Sequence, residues 1–581
     1  MFREFGIVVG SAVLISAFVS LTITPVLNVY LTKKDSGHGK FYERTEPFFK
    51  GMEDGYKRLL TSFIKQRWIA WVIIVVCGLV IWFTGSRLQS EIAPLEDRNN
   101  MRFNLTGPEG TSYTNMLGYA DKFVNFLYDS IPERQFTFLS APGGGGGGGN
   151  IVNVASGRLG LIDADERSRS QSEIAADITK KINRFNDTRI FVIREQTIAV
   201  GSSSRSGLPV QFVMQNLDFD TLKAYIPRFL EEARKDKTFA NVDVNLKFNK
   251  PEIQLSVDRI KTKDLGLTAK EVMTAVQSAY SGGRLDYFIM NGEQYSVITQ
   301  VERADRNKPA DITKLYVNNN KGVPIPLSEE VHLVESSSPS ILYHFNRYKS
   351  ATISASLAPG KTIGDGVKSM QEIGKRVLPG GFQKSLYGAS RDFTESSSNT
   401  IFAFSLALIL IYLVLAAQFE SFKDPFTIML TVPLALAGAL LSLYIFNQTL
   451  NIFSEIGMIM LVGLVTKNGI LIVEFANKKR ETEGLSKVDG VIEGATQRLR
   501  PILMTSLATS LGALPIALSL GAASTSRIPM GIVVVGGVLF SLILTLLVIP
   551  AIYTYLSGEH KKAVGPASEN IIDSESKNTT T

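Results

Sequence analysis

Lys467 stands inside an apolar run, residues 452–475, that is long enough to cross a bilayer as a helix. An ammonium at that depth costs at least about 2.5–3.5 kcal/mol even on lenient insertion scales, so such a residue marks a functional site and implies a partner. The same run holds Glu455 and Glu474, twelve and seven residues away. At 1.5 Å of rise per residue these lie about 18 Å and about 10 Å along the axis, too far to act as counter-ions. A basic loop then leads to Arg498 and Arg500, and Thr505 and Ser506 enter the next apolar run. Singly, the arginines read as membrane-edge anchors and the hydroxyls as groups bonded back to their own helix. Together with the embedded ammonium they describe a polar patch in a bundle interior through which protons can move.

The elements that must position this patch are membrane helices. Hydrophobic residues make up 45% of the 581 and charged residues 20%, with a mean hydropathy of +0.11. That mixture requires both membrane-embedded and solvated parts. Seven stretches are long and apolar enough to span: 5–31, 68–84, 401–417, 426–446, 452–475, 501–520 and 530–556. Basic residues crowd 33–67 and 478–500, so the positive-inside rule puts both loops in the cytoplasm. Counting crossings then places 87–399 outside it, the 557–581 tail inside as a disordered segment, and Met1 outside. A chain starting outside in this way reads as the later part of something longer, or else as one beginning with a reverse signal anchor. The net charge of +7 is accounted for by the cytoplasmic loops, and no basic run is interleaved with aromatics; nucleic acid is not an expected partner. The single cysteine, Cys77, falls in the second apolar stretch, so the external region has no disulfide.

From 101 to 385 short β-like runs alternate with amphipathic helical patterns, for example a strand at 209–215 and a helix at 219–235. Repeated βαββαβ-like units of this kind predict small α+β sandwiches, each a sheet with helices on one face. The second unit is interrupted by an insertion from 261 to about 335 that carries the hairpin signal Asn318, Asn319, Asn320, Lys321, Gly322. Residues 143–149 are seven consecutive glycines, either a loop along which a bulky ligand slides or a plain flexible connector. The segment 355–362, ASLAPGKT, approximates a phosphate-binding loop. Ala355 replaces the first glycine, Pro359 removes a donor, and the segment lies outside the cytoplasm; ATPase chemistry is excluded. Four histidines on separate loops show no metal or triad spacing.

GLVTKNGILIVEFA at 463–476 and RLRPILMTS at 498–506, with MFREFGIVVGSAVLISAFVSLTITP at 1–25, AAQFESFKDPF at 416–426 and APGKT at 358–362, closely resemble proton-driven RND (resistance-nodulation-division) efflux transporters of the hydrophobe/amphiphile class. The resemblance runs to about residue 556 and matches the C-terminal half of the family's twelve-helix protomer plus one helix. It implies a membrane bundle of about seven transmembrane helices (1–32, 67–88 and five within 398–556), with a cytoplasmic loop and amphipathic helix at 33–66. It also implies periplasmic porter subdomains of ferredoxin-like βαβ repeats at 96–204 and at 205–249 joined to 342–386, with a docking subdomain at 250–341. Lys467, Arg498 and Thr505 match the family's proton relay; the two aspartates that partner the lysine there belong to the N-terminal half, which is missing here. The implied activity is drug/proton antiport in the inner membrane, powered by the proton motive force without a cofactor. The implied partners are hydrophobic or amphiphilic small molecules, a homotrimer, a periplasmic adaptor and an outer-membrane channel. A non-transporting remnant or assembly subunit is the alternative. The glycine run occupies the family's switch-loop position, so the expected substrate path comprises Phe136, Phe138, Gly143, Gly145, Gly147, Val210, Phe212 and Met214; strand alternation makes about half of such residues core. Thirteen methionines without a paired ladder argue against a heavy-metal exporter.

Overall fold

The computed structural model describes residues 2–31, 40–142, 152–182, 184–195, 197–198, 208–339, 341–519 and 525–558. Three helices open the chain. They are α1 (Phe2–Leu31), α2 (Lys40–Lys65) and α3 (Ile69–Arg87). Next come β1 (Asn100–Thr106), α4 (Tyr113–Ser130), β2 (Arg134–Ser140), β3 (Val154–Leu161), α5 (Gln171–Ile182) and β4 (Arg189–Arg194). All four strands pair antiparallel in the order β2-β3-β1-β4. Alternation sets the faces: Met101, Phe103 and Leu105 are wholly buried against Phe123 and Leu127 of α4 and Ile174 and Ile178 of α5.

The second unit begins with β5 (Val210–Asn216), α6 (Phe219–Lys235) and β6 (Phe239–Val244). Asp218 caps α6 by accepting from the Thr221 N–H, and Leu222, Ile226, Phe229 and Ala233 form its buried stripe. The chain then leaves the sheet through β7 (Lys250–Val257), α7 (Arg259–Asp264), α8 (Ala269–Tyr280), β8 (Gly283–Met290), β9 (Glu293–Thr299), β10 (Tyr316–Asn318), β11 (Pro324–Pro326) and β12 (Val331–Ser338). β12 pairs with β7 over their whole length, so the excursion closes on itself. Its hairpin β8–β9 leaves Leu285, Tyr287, Phe288, Ile289 and Ile298 exposed. The sheet resumes with β13 (His344–Phe345), β14 (Tyr348–Leu357), α9 (Ile363–Val377) and β15 (Gln383–Leu386). β14 pairs β5 and β6, and β15 pairs β5. The order β6-β14-β5-β15 repeats that of the first unit strand for strand.

The membrane part follows as α10 (Gly388–Phe419), α11 (Lys423–Met429), α12 (Thr431–Ile445), α13 (Ile452–Glu483), α14 (Lys487–Ala517) and α15 (Ile528–Leu556). Seven described segments are long and apolar enough to cross a membrane, with α11 and α12 counted as one across the break at Leu430. Two helices begin well before the apolar runs that announce them. α10 starts at Gly388 rather than 401, because the polar stretch to Thr400 continues the helix beyond the hydrocarbon. α14 starts at Lys487, with Pro501 inside it. α15 is central, and small residues bring its neighbours in: Gly438 of α12 lies under Phe540, and Gly537 lies under Leu461 of α13.

Sheets and bundle are stitched together by residues 89–96. Leu450 donates its N–H to Gln89 and accepts from Glu91, at 2.8 and 3.0 Å, and Ile452 donates to Ile92 at 3.1 Å. On the other side Gly364, at the start of α9, donates to Ser90 at 3.1 Å.

Candidate functional site

The site is the open side of the α13–α14 pair. Contacts that descend α13 climb α14: Asn468 meets Ser506, Ala476 meets Gly494, and Arg480 meets Gly490, so the helices are antiparallel and closely packed. The Asn468 Nδ2 donates to Ser506 Oγ at 3.1 Å, and the two residues are 3% and 4% exposed. In an apolar bundle such a bond is satisfied only in one register, so it locks the helices against sliding.

Helical geometry then fixes their neighbours. Lys467 and Thr505 each precede a member of the facing pair, and one step of about 100° back along two antiparallel helices turns both to the same side. Seven residues toward the basic end on each helix, Glu474 and Arg498 fall on that side as well, about 10 Å away. Gly463, Lys467, Glu474 and Lys478 on α13, and Met504, Leu507 and Leu511 on α14, are exposed. Among the described residues Lys467 has no ion pair or hydrogen bond. Its sequence-level isolation is therefore also its spatial state: an ammonium on an uncovered face. Thr505 donates to the Ile502 carbonyl at 3.2 Å and accepts nothing from Lys467. The Arg498 guanidinium lies 3.7 Å over the Phe475 ring, with its buried Nε left without a hydrogen-bond acceptor. Arg500, its near neighbour in sequence, points elsewhere, to Glu46 at 3.0 Å and Glu53 at 2.6 Å on α2. It is an anchor, and Arg498 belongs to the open face.

A second polar cluster escaped sequence reading. Asp424 is 5% exposed and accepts from Asn477 at 3.0 Å. Tyr553 bonds Asn477, and Arg480 donates to Tyr553 at 2.9 Å and Ser557 at 3.0 Å. This network ties the basic ends of α11, α13 and α15 together. No local signal announces it, since its members are scattered over three segments.

The expected substrate path divides. Phe136 and Phe138 on the edge strand β2 are 47% and 62% exposed and are free to meet a ligand. The Phe136 ring lies on Gly160 of β3, where a Cβ would sit 2.2 Å from it. Val210, Phe212 and Met214 are 0%, 2% and 0% exposed, inside the core of the second sheet, with Phe212 stacked on Phe229 at 5.4 Å. They correct the expectation of a lining strand: β5 is central in its sheet and the three side chains belong to its core, so they hold the sheet. Phe212 also edges a cavity of about 330 Å³ lined by Gln371, Lys375, Lys384, Ser385 and Leu386, a mixed polar and apolar surround. Gly143, Gly145 and Gly147 lie outside the described residues.

The loop resembling a phosphate cradle is a turn and a helix cap. Thr362 donates its N–H and hydroxyl to Asp365 at 3.1 and 3.2 Å, and the Gly364 N–H goes to Ser90, so the donors that phosphate would need are taken. No group of three or more His, Cys, Asp or Glu among the described residues is arranged to hold a metal ion.

The family model for AcrB/AcrD/AcrF matches residues 1–557. The chain belongs to the AcrB/AcrD/AcrF family, the RND permeases. It is 31% identical over 568 residues to an uncharacterized transporter of Haemophilus influenzae (strain ATCC 51907 / DSM 11121 / KW20 / Rd), an alignment covering 97% of this chain and 54% of that protein. The chain spans about half the length of the curated relative it matches. Membership agrees with the several apolar helices and the sheet-rich region, and it makes a multi-pass membrane protein of the RND type.

Proposed function

We propose that the chain forms one half of a proton-driven exporter of hydrophobic or amphiphilic compounds, with Lys467, Arg498 and Thr505 as its contribution to the proton relay. The observation that carries this reading is the open α13–α14 face with an ammonium at its centre that has no ion pair among the described residues. A charge left on a lipid-facing surface is costly. A covering set of helices bearing a carboxylate removes that cost, and the chain's half-length match to its relative supports such helices as the missing partner. Protonation of that carboxylate would release Lys467 and let the two halves shift. α13 reaches residues 89–96 through Leu450 and Ile452, and α10 runs unbroken from β5 to the basic end, so helix movement has two routes to the sheets.

On this reading the βαββαβ units are ferredoxin-like porter subdomains in the periplasm, the seven apolar segments all span the inner membrane, and substrate passes near Phe136 and Phe138. The apolar hairpin β8–β9 supports a docking role for the insertion in a homotrimer that works with a periplasmic adaptor and an outer-membrane channel. The experiment is antiport in inside-out vesicles from cells co-expressing this chain with a matching N-terminal half. Lys467→Ala is expected to abolish proton-dependent export at near-normal protein level, since among the described residues the side chain holds no ion pair or hydrogen bond that the fold would lose. Thr505→Ala reduces it mildly. Wild-type export by Lys467→Ala would make the helix merely structural.

A further inference from the structure

The elbow between α2 and α3 carries a site of its own. α2 packs Leu60 and Ile64 into the bundle, and its Tyr56 hydroxyl donates to the Leu546 carbonyl at 2.6 Å. The opposite side of the helix opens into a surface groove of about 610 Å³ lined by Gly55, Arg58, Leu59, Ser62, Gln66 and Ile69. Gly55 makes its floor: a Cβ there would meet nothing within 4 Å. Two cations beside the groove are engaged elsewhere. Lys57 pairs with Glu493 at 2.9 Å, and Arg67 stacks 4.4 Å over Tyr555. Arg58, in the groove, has neither ion pair nor hydrogen bond among the described residues, and Asp54 one turn away does not pair with it.

Below the polar end the surface turns apolar. Ile69 is followed at helical spacing by Val72, Val76 and Leu79, which are 44%, 49% and 59% exposed, and Trp68 at the corner is 62% exposed. One ligand class fits a free guanidinium with Ser62 and Gln66 above and a bare aliphatic stripe below. We propose that this elbow binds an anionic glycerophospholipid, its phosphate held by Arg58 with Ser62 and Gln66, and one acyl chain lying along α3. An acyl chain needs the stripe, which a free phosphate would leave unused, so the lipid is the occupant the surface favours. The inference depends on α3 spanning a membrane and not on transport.

The chain has three tryptophans, Trp68, Trp71 and Trp82, all on or beside α3. That allows a direct test on the full chain in vesicles. With Trp71→Phe and Trp82→Phe, Trp68 reports the elbow. Brominated phosphatidylglycerol is expected to quench it with about five-fold preference over brominated phosphatidylcholine, the scale of one basic side chain acting on an anionic lipid. Arg58→Ala removes the charge and Gly55→Leu fills the floor, and each is expected to abolish the preference. The reporter Trp82, near the other end of α3, shows none. Equal quenching of Trp68 by the two lipids, or a preference surviving both substitutions, overturns the proposal. Relief of quenching by inorganic phosphate alone also overturns it, in favour of a free-anion site.

Discussion

At the scale of single residues, what matters is whether a buried polar group has a partner. Asn468 and Ser506 satisfy each other between α13 and α14. Ser506→Ala leaves the Asn468 amide unsatisfied, and Asn468→Ala leaves a hydroxyl and a void, so each is expected to cost about 1–3 kcal/mol. Thermal unfolding in detergent checks this, and unchanged midpoints would deny the pair its register role. Glu330 is the opposite case. It is 0% exposed in the insertion, and its carboxylate oxygens have no hydrogen-bond donor, because the nearby Thr262 hydroxyl is given to the Asp258 carbonyl. Burial raises its pKa. A raised folded-state value means the contribution is present below the unfolded value, about 4.3, and is lost as pH rises through the folded one. Glu330→Gln is therefore expected to slow hydrogen exchange across residues 250–338 at pH 7–8 and to leave it unchanged near pH 4. Equal exchange at both pH values would show that the carboxylate is solvated. Lys467 was legible in sequence because charge in an apolar run is conspicuous. The Asn468–Ser506 bond was not, since it exists only once the helix register is known.

Among the elements, α10 decides how far the membrane can act. Ser390 accepts from the Gln211 N–H at 2.9 Å and donates to the Pro209 carbonyl at 3.2 Å, which seats the helix on β5; the same helix then runs to Phe419. A rod transmits displacement only while it is unbroken. Ser397→Pro removes a helical N–H and forces a kink costing about 3 kcal/mol in the solvated part of the helix. It is expected to lower export at equal membrane level, whereas Ser397→Ala preserves it. Wild-type export by the proline variant would remove α10 from the coupling route. Hydropathy could not find this rod, since the polar segment from Gly388 to Thr400 reads as a linker. α6 was readable to the residue, because Asp218 caps it and its apolar stripe is unmixed. The faces of β5 were not, as alternation identifies a buried face only when the other face is wet.

The whole molecule joins two sheets of identical strand order to a helical bundle that is packed on one side and open on another. The duplication was visible as a repeated alternation, and the split of the second unit as an insertion. The strand order needed the structure, because β14 rejoins β5 and β6 across about a hundred intervening residues. Composition could not reveal the open face either, since within residues 456–473 of α13 and 501–517 of α14 apolar residues occur on every side. Its consequence is a test of completeness. The chain expressed alone in a pump-deficient Gram-negative host is expected to insert and yet to confer no drug resistance, because Lys467 then faces lipid with no carboxylate to take up and release a proton. Co-expression with a matching N-terminal half is expected to restore resistance and to shield Lys467 from an amine-reactive, membrane-permeant reagent. The two readouts separate two failures. Shielding without resistance would mean that the halves assemble and the relay assignment is wrong. Resistance from this chain alone, at confirmed membrane level, would mean that its own copies supply the acid, and Glu474 on the same face would be the first residue to replace.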